Sequence, residues 1–405
     1  MLEHFCPHCM KESDKGAKYC TACGSSMEVN VPAHHLPVGT VLRSGNAHNF
    51  LFGVVKGEGG FGLTYIGKEM NSGRLVAIKE YFPSRCQPQR MPDASIKPQE
   101  RFEEIYQHGM QSFLSEASML RAVAHLPSIV HVMDYFEANQ TAYMVMEYLE
   151  GNTLYHVMQS QERILPEVLI PKFLPLMYDL ESLHEAGVLH RDIAPDNIMW
   201  MPDGNLKLLD FGCARSLEDG RSMTVVLKPG FAPIEQYQTR GQGPYTDLYA
   251  LCATLYYCLT GKIPPASPER LTTTFDNHPD PLIPPSALGV PVLQEQEQIL
   301  MWGLSLQPSV RPQSMKILAQ RLEKASQTKM QTNRIPQGAK TGGSTGERTV
   351  SQSTVYQNMD VQNTVYQNEM MNNGAYHMEN GKKFLPFIIA AGVTVLFIIA
   401  AICLF

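Results

Sequence analysis

The sequence carries little charge and no excess of basic residues. Only 18% of its 405 residues are charged, the formal net charge is -6 and the pI is near 6.1. Without a basic excess the chain has no field that attracts a polyanion, so nucleic acid is not an expected partner. The hydrophobic fraction of 44% is enough for a sizeable core and more than one module.

The two ends of the sequence differ in their expected relation to a membrane. The start, MLEHFCPHCM, lacks the basic residues and apolar run of a secretory signal. Residues 384–405 contain no charge and would form a helix of roughly 33 Å, enough to cross a hydrocarbon core. A buried core helix is the alternative, although such helices usually keep a polar face. Because Lys382 and Lys383 flank only its N-terminal side, we expect a single-pass helix in the cell membrane, with all preceding residues cytoplasmic.

The segment before this helix has a biased composition. Residues 326–381 are rich in Gln, Asn, Thr, Ser, Gly and Met and show almost no aliphatic periodicity. Such a segment cannot bury enough apolar surface to offset chain entropy, which predicts a disordered linker. The pentapeptide TVYQN occurs at 354–358 and again at 364–368, either as a slipped duplication or as a functional motif.

Four of the nine cysteines lie near the N-terminus, in CPHC and CTAC. Two thiolates on a tight turn can hold one side of a tetrahedral ion, and a second pair completes the site. The pattern resembles short zinc ribbons and predicts structural zinc in residues 1–30. His8 is an alternative ligand, and a disulfide is disfavoured in a reducing cytosol. Residues 31–48, rich in Pro and Gly, are expected to be a linker that makes the ribbon independent. The predicted zinc ligands are Cys6, Cys9, Cys20 and Cys23.

Residues 49–325 contain an ordered series of motifs. GEGGFG lies between two strand-like apolar runs, and VAIK, HRDIAPDN and DFG follow in that order. Glycines permit a hairpin whose backbone N–H groups approach phosphate oxygens. The series resembles the bacterial eukaryotic-type (Hanks-type) serine/threonine protein kinases. The resemblance implies an α+β bilobal kinase fold, with a β-rich small lobe and a helical large lobe.

The resemblance also implies which residues of the small lobe bind ATP. Lys79 of VAIK would hold the α and β phosphates. Its ion-pair partner is expected in FLSEASML, where apolar residues at helical spacing surround Glu116; Glu103 and Glu104 are alternatives. The glycine-rich loop would cover the phosphates through Gly57, Gly59 and Gly62.

The hinge and the chemical site follow from the same resemblance. Met146 matches the gatekeeper, and the backbone of Glu147 and Leu149 would hydrogen-bond the adenine. Magnesium prefers hard oxygen ligands and is shared with the phosphates. The catalytic base and the two magnesium ligands would be Asp192, Asn197 and Asp210.

Three further positions imply a complete large lobe. KPGFAPIEQY resembles the end of the activation segment, with one extra residue before Glu235. Glu235 would form a buried ion pair with Arg311 of SVRPQS. Asp247 in YTDLYALCATLYYCLTG matches the aspartate that braces the catalytic loop.

Ala194 departs from the family pattern. Serine/threonine kinases normally carry lysine two residues after the catalytic Asp, where it neutralises charge on the transferring phosphoryl group. The family fold brings this position close to the residue seven before Glu235, which here is Lys228. We therefore expect Lys228 to supply the charge that Ala194 lacks; a solvent-facing loop lysine is the alternative.

The sequence thus predicts a membrane-tethered, ATP-dependent serine/threonine protein kinase that acts on protein substrates with ATP and Mg²⁺. A pseudokinase that only binds or scaffolds, a zinc-ribbon adaptor and tyrosine specificity are the alternatives. Because a flexible linker of this length spans roughly 40 Å, its threonines lie within reach of the active site. We expect autophosphorylation that creates docking marks for a phosphothreonine reader, at Thr349, Thr354 or Thr364.

Overall fold

A computed structural model describes residues 5–14, 16–161, 163–210, 215–216, 227–238 and 241–332. The chain divides into Met1–Ile335 and Pro336–Phe405, and all the described residues belong to the first unit. The predicted membrane helix at 384–405, the TVYQN repeats and the three linker threonines lie outside the described residues. Among the described helices, none combines the length and the apolar character that a membrane crossing requires.

The strands are concentrated before residue 150, with only short ones beyond. The described strands are β1 (Val41–Arg43), β2 (Asn49–Gly59), β3 (Gly62–Glu69), β4 (Leu75–Tyr81), β5 (Gln89–Arg90), β6 (Ile96–Lys97), β7 (Val132–Ala138), β8 (Thr141–Glu147), β9 (Asn152–Thr153), β10 (Val188–Leu189), β11 (Ile198–Trp200), β12 (Leu206–Leu208) and β13 (Arg215–Ser216). Six of them form one antiparallel sheet in the order β1-β2-β3-β4-β8-β7.

The helices lie mostly after the sheet and form the large lobe. The described helices are α1 (Glu103–Ala122), α2 (Leu154–Gln159), α3 (Pro166–Glu185), α4 (Ile234–Tyr237), α5 (Pro244–Thr260), α6 (Ser267–Phe275), α7 (Gln294–Gly303) and α8 (Met315–Thr332). Of these, α1 belongs to the small lobe, where it packs against β7 and β8.

Local sequence explains the two central layers. In β4 and β8 the apolar runs LVAIKEY and TAYMVME place Ile78 opposite Val145, and both are fully buried. Strands covered on both faces read as near-continuous apolar runs. In the large lobe, α5 is buried along almost its whole length and contacts α3 and α7. It starts at Pro244, where proline suits a first helical turn, and is capped after Thr260 by Gly261, whose φ of 71° suits glycine.

Short strand pairs position the catalytic segment. β10 pairs with β13, and β11 lies between β9 and β12. The HRDIAPDN motif therefore lies in the connection between β10 and β11, and Asp210 follows β12 after one intervening residue, Leu209. This arrangement confirms the bilobal fold with a strand-rich small lobe and a helical large lobe.

Several segments differ from the expected boundaries. Residues 31–48 are part of the small lobe, since β1 pairs with β2 and Leu36 is only 1% exposed within the main core. The long interval between Lys79 and α1 contains the β5–β6 hairpin, which the sequence patterns did not reveal. Helix α8 continues to Thr332, beyond the predicted boundary at 325, so the start of the polar segment is helical.

Candidate active site and metal centre

The glycine-rich loop is the tip of the β2–β3 hairpin. Gly59 lies opposite Gly62, and Gly57 lies opposite Thr64. Gly62 has no room for a side chain, because an added Cβ would overlap the Glu80 carbonyl of the neighbouring β4. The hairpin that the sequence predicts is therefore present, and its glycines carry no side chains that would cover the backbone N–H groups expected to face a nucleotide phosphate.

Lys79 extends from β4 and forms a salt bridge with Asp210, which follows β12. Lys79 is only 6% exposed. Glu116 is equally buried near the middle of α1, whereas the alternatives Glu103 and Glu104 lie exposed in its first turn. Burial thus favours Glu116 among the three candidates for the ion-pair partner of Lys79.

Asp192 and Asn197 are held together within the catalytic loop. The Asn197 side-chain nitrogen donates to the Asp192 backbone carbonyl at 2.8 Å and to its carboxylate at 2.7 Å. Because the amide nitrogen is committed to Asp192, the amide oxygen of Asn197 is the atom that would bind a cation. Asp210 supplies a carboxylate of the same ligand class.

Asp247 of α5 braces this loop from below, as predicted. Its carboxylate accepts hydrogen bonds from the backbone N–H groups of His190 at 2.8 Å and Arg191 at 2.7 Å. The His190 ring in turn bonds the Leu209 carbonyl at 2.8 Å, next to Asp210. Arg191 and Asp210 both have positive φ, 65° and 38°, a conformation that the surrounding contacts must hold in place.

Lys228 reaches the catalytic loop from the segment that precedes α4. Its Nζ lies 3.2 Å from an Asp192 carboxylate oxygen and 2.9 Å from Asp196. The structure therefore brings Lys228 to the loop that carries Ala194, as the counting argument predicted. Asp196, which sequence reasoning did not single out, completes this ion-pair cluster; its place in PDN beside Asn197 was the available signal.

Burial and charge shift the ionisation of this cluster. Burial raises the pKa of the Asp192 carboxyl above its ordinary value, and Lys228 and His190 oppose that rise. Burial alone would lower the pKa of Lys228, but Asp192 and Asp196 outweigh it, so the pKa is raised. The Lys228 ammonium thus remains charged beside the candidate base.

The hinge and the lower part of the site agree with the sequence analysis. Met146 is buried in β8, Glu147 ends that strand, and Leu149 follows on the way to β9.

Glu235 and Arg311 form the predicted buried pair, with two hydrogen bonds of 2.6 and 3.0 Å. Gln236, which the sequence did not reveal, donates to the Arg191 carbonyl at 2.7 Å.

The four N-terminal cysteines form two turns with the same hydrogen bonds. Met10 N–H donates to the Cys6 carbonyl at 2.8 Å, and Gly24 N–H donates to the Cys20 carbonyl at 2.8 Å. In each turn the backbone N–H two residues after the first cysteine points to its sulfur, at 3.4 Å. Met10 and Gly24 both have positive φ, 56° and 73°. The two turns are therefore near copies of one another.

The sulfur atoms fit a tetrahedral thiolate site. All four lie within 4.8 Å of one another, and the Cys6–Cys23 and Cys9–Cys20 sulfur pairs are 3.6 and 3.7 Å apart. Sulfurs bound to one zinc at about 2.3 Å would be about 3.8 Å apart. The cluster is compatible with zinc.

The cysteine ribbon packs on the small lobe. Met10 forms a small apolar cluster with Leu51 of β2 and Ile66 of β3, against which the hinge residue Tyr148 also packs. The Pro7 carbonyl accepts a hydrogen bond of 2.9 Å from Val54 N–H. These contacts attach the ribbon to the sheet, in contrast to the independent unit that the linker composition suggested.

Comparison with known proteins agrees with this geometry. The family model for the protein kinase domain matches residues 53–322. The chain belongs to the protein kinase domain family. The structure is similar to that of PpkA-294 in its apo form, with a TM-score of 0.60 and 35% identity, over 71% of this chain and 99% of that one.

Two curated kinases are similar in sequence. A probable serine/threonine-protein kinase of Streptomyces coelicolor is 30% identical over 276 residues, which are 65% of this chain and 37% of that protein. The serine/threonine-protein kinase PknB of Mycobacterium tuberculosis is 28% identical over 271 residues, 65% of this chain and 40% of its own length. The chain thus spans about two fifths of the curated relatives that it matches.

Proposed function

We propose that this protein is an ATP-dependent serine/threonine protein kinase. The observation that carries the proposal is the assembly of Lys79, Asp192, Asn197 and Asp210 in one site beneath a glycine hairpin. The names of the similar proteins, which describe serine/threonine kinases, support the same activity. The residues that a pseudokinase commonly loses are all present.

The site assigns a role to each of these residues. Asp192 accepts the proton of the substrate hydroxyl as that oxygen attacks the γ-phosphoryl group of ATP. Asn197 holds the Asp192 carboxylate in place through its amide nitrogen. Lys79 binds the α and β phosphates and orients the leaving group. Asn197 and Asp210 would hold magnesium, which neutralises phosphate charge when bound.

Lys228 supplies the positive charge that the catalytic loop lacks at Ala194. Its Nζ lies within 3.2 Å of Asp192, the residue that must meet the substrate hydroxyl. An ammonium at this point can neutralise charge on the transferring phosphoryl group from the activation-segment side. This placement favours an active enzyme over a scaffold that has lost its catalytic lysine.

The activity is tested by phosphate transfer from Mg-ATP to casein, with the full chain and an Asp192→Asn variant. The matched control is Asp203→Asn, which changes an exposed aspartate in the turn before β12. We expect transfer to serine and threonine by the parent chain and the control, and a loss of 10²-fold or more in Asp192→Asn. If Asp192→Asn is labelled as much as the parent chain and the control, transfer does not depend on Asp192 and the scaffold is favoured. Label on tyrosine alone contradicts the serine/threonine specificity.

We further propose that the kinase is tethered to a membrane by residues 384–405 and that the four cysteines bind structural zinc. The uncharged C-terminal sequence supports the first statement, and the paired cysteine turns support the second. Protein substrates and a phosphothreonine-binding reader are the expected partners. Fractionation with and without residues 384–405, and metal analysis of the full chain, test the two statements separately.

A further inference from the structure

A second cluster of metal-ligating side chains lies at the tip of the small lobe. The Nε2 atoms of His34 and His35 lie 3.1 and 3.3 Å from the two carboxylate oxygens of Glu58. Glu58 belongs to the glycine-rich loop, between Gly57 and Gly59. Two adjacent histidines from the segment before β1 thus meet the loop that covers the nucleotide phosphates.

The backbone that carries the two histidines is held on both sides. Arg90 Nε donates to the His34 carbonyl at 2.9 Å, and Leu36 N–H donates to the Tyr65 hydroxyl at 3.0 Å. Leu36 itself is buried in the main core. Ligands on a fixed backbone lose little entropy when they bind an ion, so this cluster is preorganised on its histidine side.

The spacing and chemistry of the three side chains suit a transition metal. Their ligand atoms all lie within 4.8 Å of one another. Nitrogen and oxygen ligands at about 2.1 Å on a tetrahedral ion are about 3.4 Å apart, close to the two histidine–glutamate distances.

The cluster is open to solvent on one side, where water can complete the coordination. The side chain of His35 is 12% exposed, whereas those of His34 and Glu58 are 40% and 55% exposed. Two imidazoles and one carboxylate suit Zn²⁺, Ni²⁺ or Co²⁺ but not Mg²⁺, which prefers oxygen ligands. The magnesium of a kinase reaction would therefore not compete effectively for this cluster.

We propose that His34, His35 and Glu58 form a binding site for a divalent transition metal that ties the glycine-rich loop to the segment before β1. The bound ion replaces the two histidine–Glu58 hydrogen bonds with metal–ligand bonds, which connect the glycine-rich loop to the segment before β1. The β2–β3 hairpin then moves less freely, and nucleotide enters and leaves more slowly. Metal binding needs only the fold, whereas the effect on nucleotide exchange rests on the proposed kinase function.

The test is a Co²⁺ titration of the full chain after one molar equivalent of zinc has been added to fill the four-cysteine cluster and unbound zinc has been removed. Cobalt bound by nitrogen and oxygen gives weak visible bands, whereas cobalt that displaces zinc at thiolates gives an intense charge-transfer band. The variants are His34→Gln and the near-isosteric Glu58→Gln. The matched control is His48→Gln, since His48, which precedes β2, pairs with Glu69 of β3 at 3.2 Å and has no third metal-ligating side chain beside it among the described residues.

The expected result is one Co²⁺ per chain without the thiolate band. We expect binding weakened at least about tenfold in His34→Gln and in Glu58→Gln, and unchanged in His48→Gln. Dissociation of a fluorescent ATP analogue should slow with Co²⁺ only in the parent chain and the control. Cobalt seen only at the thiolates, or equal affinity in all variants, overturns the site. If His34→Gln does not fold, Glu58→Gln alone decides, because Glu58 is exposed.

Slower exchange is read separately from phosphate transfer. If Co²⁺ binds as expected but ATP analogue release is unaffected, the site stands and its effect on the loop is wrong. If no nucleotide binds with or without Co²⁺, the proposed kinase function fails while the titration still decides the metal site. The two proposals can therefore fail independently.

Discussion

Lys228 and Asp192 come from different segments, yet the lysine Nζ lies 3.2 Å from the aspartate carboxylate. The same Nζ lies 2.9 Å from the Asp196 carboxylate. The cation next to Asp192 thus comes from outside the loop in which Ala194 replaces the usual lysine. On the proposed function, the base and the charge beside it are carried by two separate segments.

The first prediction concerns the size of that electrostatic contribution. Replacing Lys228 by Met should lower kcat by a factor on the order of 10² or more, because one preorganised charge near the transferring phosphoryl group is lost. Steady-state kinetics with saturating Mg-ATP measures the effect. Lys262→Met, an exposed lysine beyond α5, is the control and should keep its kcat.

Ala194→Lys in the Lys228→Met background should restore part of the lost rate. Recovery should be incomplete, because Ala194 is only 1% exposed and the new side chain must leave a covered position. An unchanged kcat in Lys228→Met would show that Lys228 is only a loop lysine.

The second prediction concerns the pH dependence of the same pair. Asp192 must be ionised to accept a proton, so kcat/KM falls as pH drops through its pKa. Burial raises that pKa and Lys228 opposes the rise, so Lys228→Met should move the acid limb to higher pH. Profiles of kcat/KM against pH for parent, Lys228→Met and Lys262→Met test this. Superimposable acid limbs would mean that Lys228 does not act on the base.

A third prediction concerns the attachment of the cysteine ribbon. An alanine Cβ at Gly53 would overlap the Pro7 carbonyl and lie 2.8 Å from the Met10 sulfur, whereas nothing lies within 4 Å of the Cβ position at Gly45. Gly53→Ala should therefore destabilise the small lobe by about 1–3 kcal/mol, as overpacking typically does, and Gly45→Ala should not. Thermal unfolding of the zinc-loaded chains measures both. Equal unfolding midpoints for Gly53→Ala and Gly45→Ala would indicate that the contact between the ribbon and the sheet contributes nothing to stability.

The buried pair in the large lobe allows a fourth prediction. Arg311 is 2% exposed and binds the Glu235 carboxylate through two hydrogen bonds. Arg311→Met should cost about 3–5 kcal/mol in the free energy of unfolding, because it leaves a buried carboxylate unpaired. Adding Glu235→Leu removes that charge and should recover part of the loss. Urea unfolding curves decide; a double variant less stable than Arg311→Met would contradict the argument.

The fifth prediction concerns phosphorylation of the linker. Mass spectrometry after incubation of the full chain with Mg-ATP should find phosphate at one or more of Thr349, Thr354 and Thr364, because a linker of the composition predicted from the sequence would let them reach the active site. Asp192→Asn should remove it. Phosphate confined to residues 49–325 would contradict the proposal.

Short motifs predicted much of the active site because its chemistry depends on residue type and order. Lys79, Asp192, Asn197 and Asp210 each carry the charge or oxygen ligand that the expected role requires, and the structure pairs Lys79 with Asp210 and Asp192 with Asn197. The Glu235–Arg311 pair and the brace from Asp247 followed in the same way. These are contacts whose partners have fixed chemical requirements.

Contacts made by ordinary packing could not be predicted. Met10 and Leu36 lie in short stretches without a regular helix or strand pattern, and nothing in their spacing indicates that both are buried. The meeting of His34 and His35 with Glu58 depends on the path of the segment before β1, which Arg90 and Tyr65 fix from distant parts of the chain. Tertiary structure, not local propensity, decides such placements.

The position of Lys228 on a separate segment has a consequence for how the proposed kinase activity can be reduced. A cation carried by the catalytic loop is tethered to the base by a few covalent bonds, and its presence is guaranteed. Here the cation depends on a separate turn, in which the N–H groups of Phe231 and Ala232 bond the Lys228 carbonyl at 3.1 and 3.0 Å. The fraction of molecules in which Lys228 lies beside Asp192 therefore depends on the stability of that turn. Once the turn is marginally stable, each further loss of about 1.4 kcal/mol lowers this fraction about tenfold. A partner or modification that displaces this turn would therefore slow the chemical step through Lys228 and raise the pKa of Asp192, without contacting ATP or magnesium.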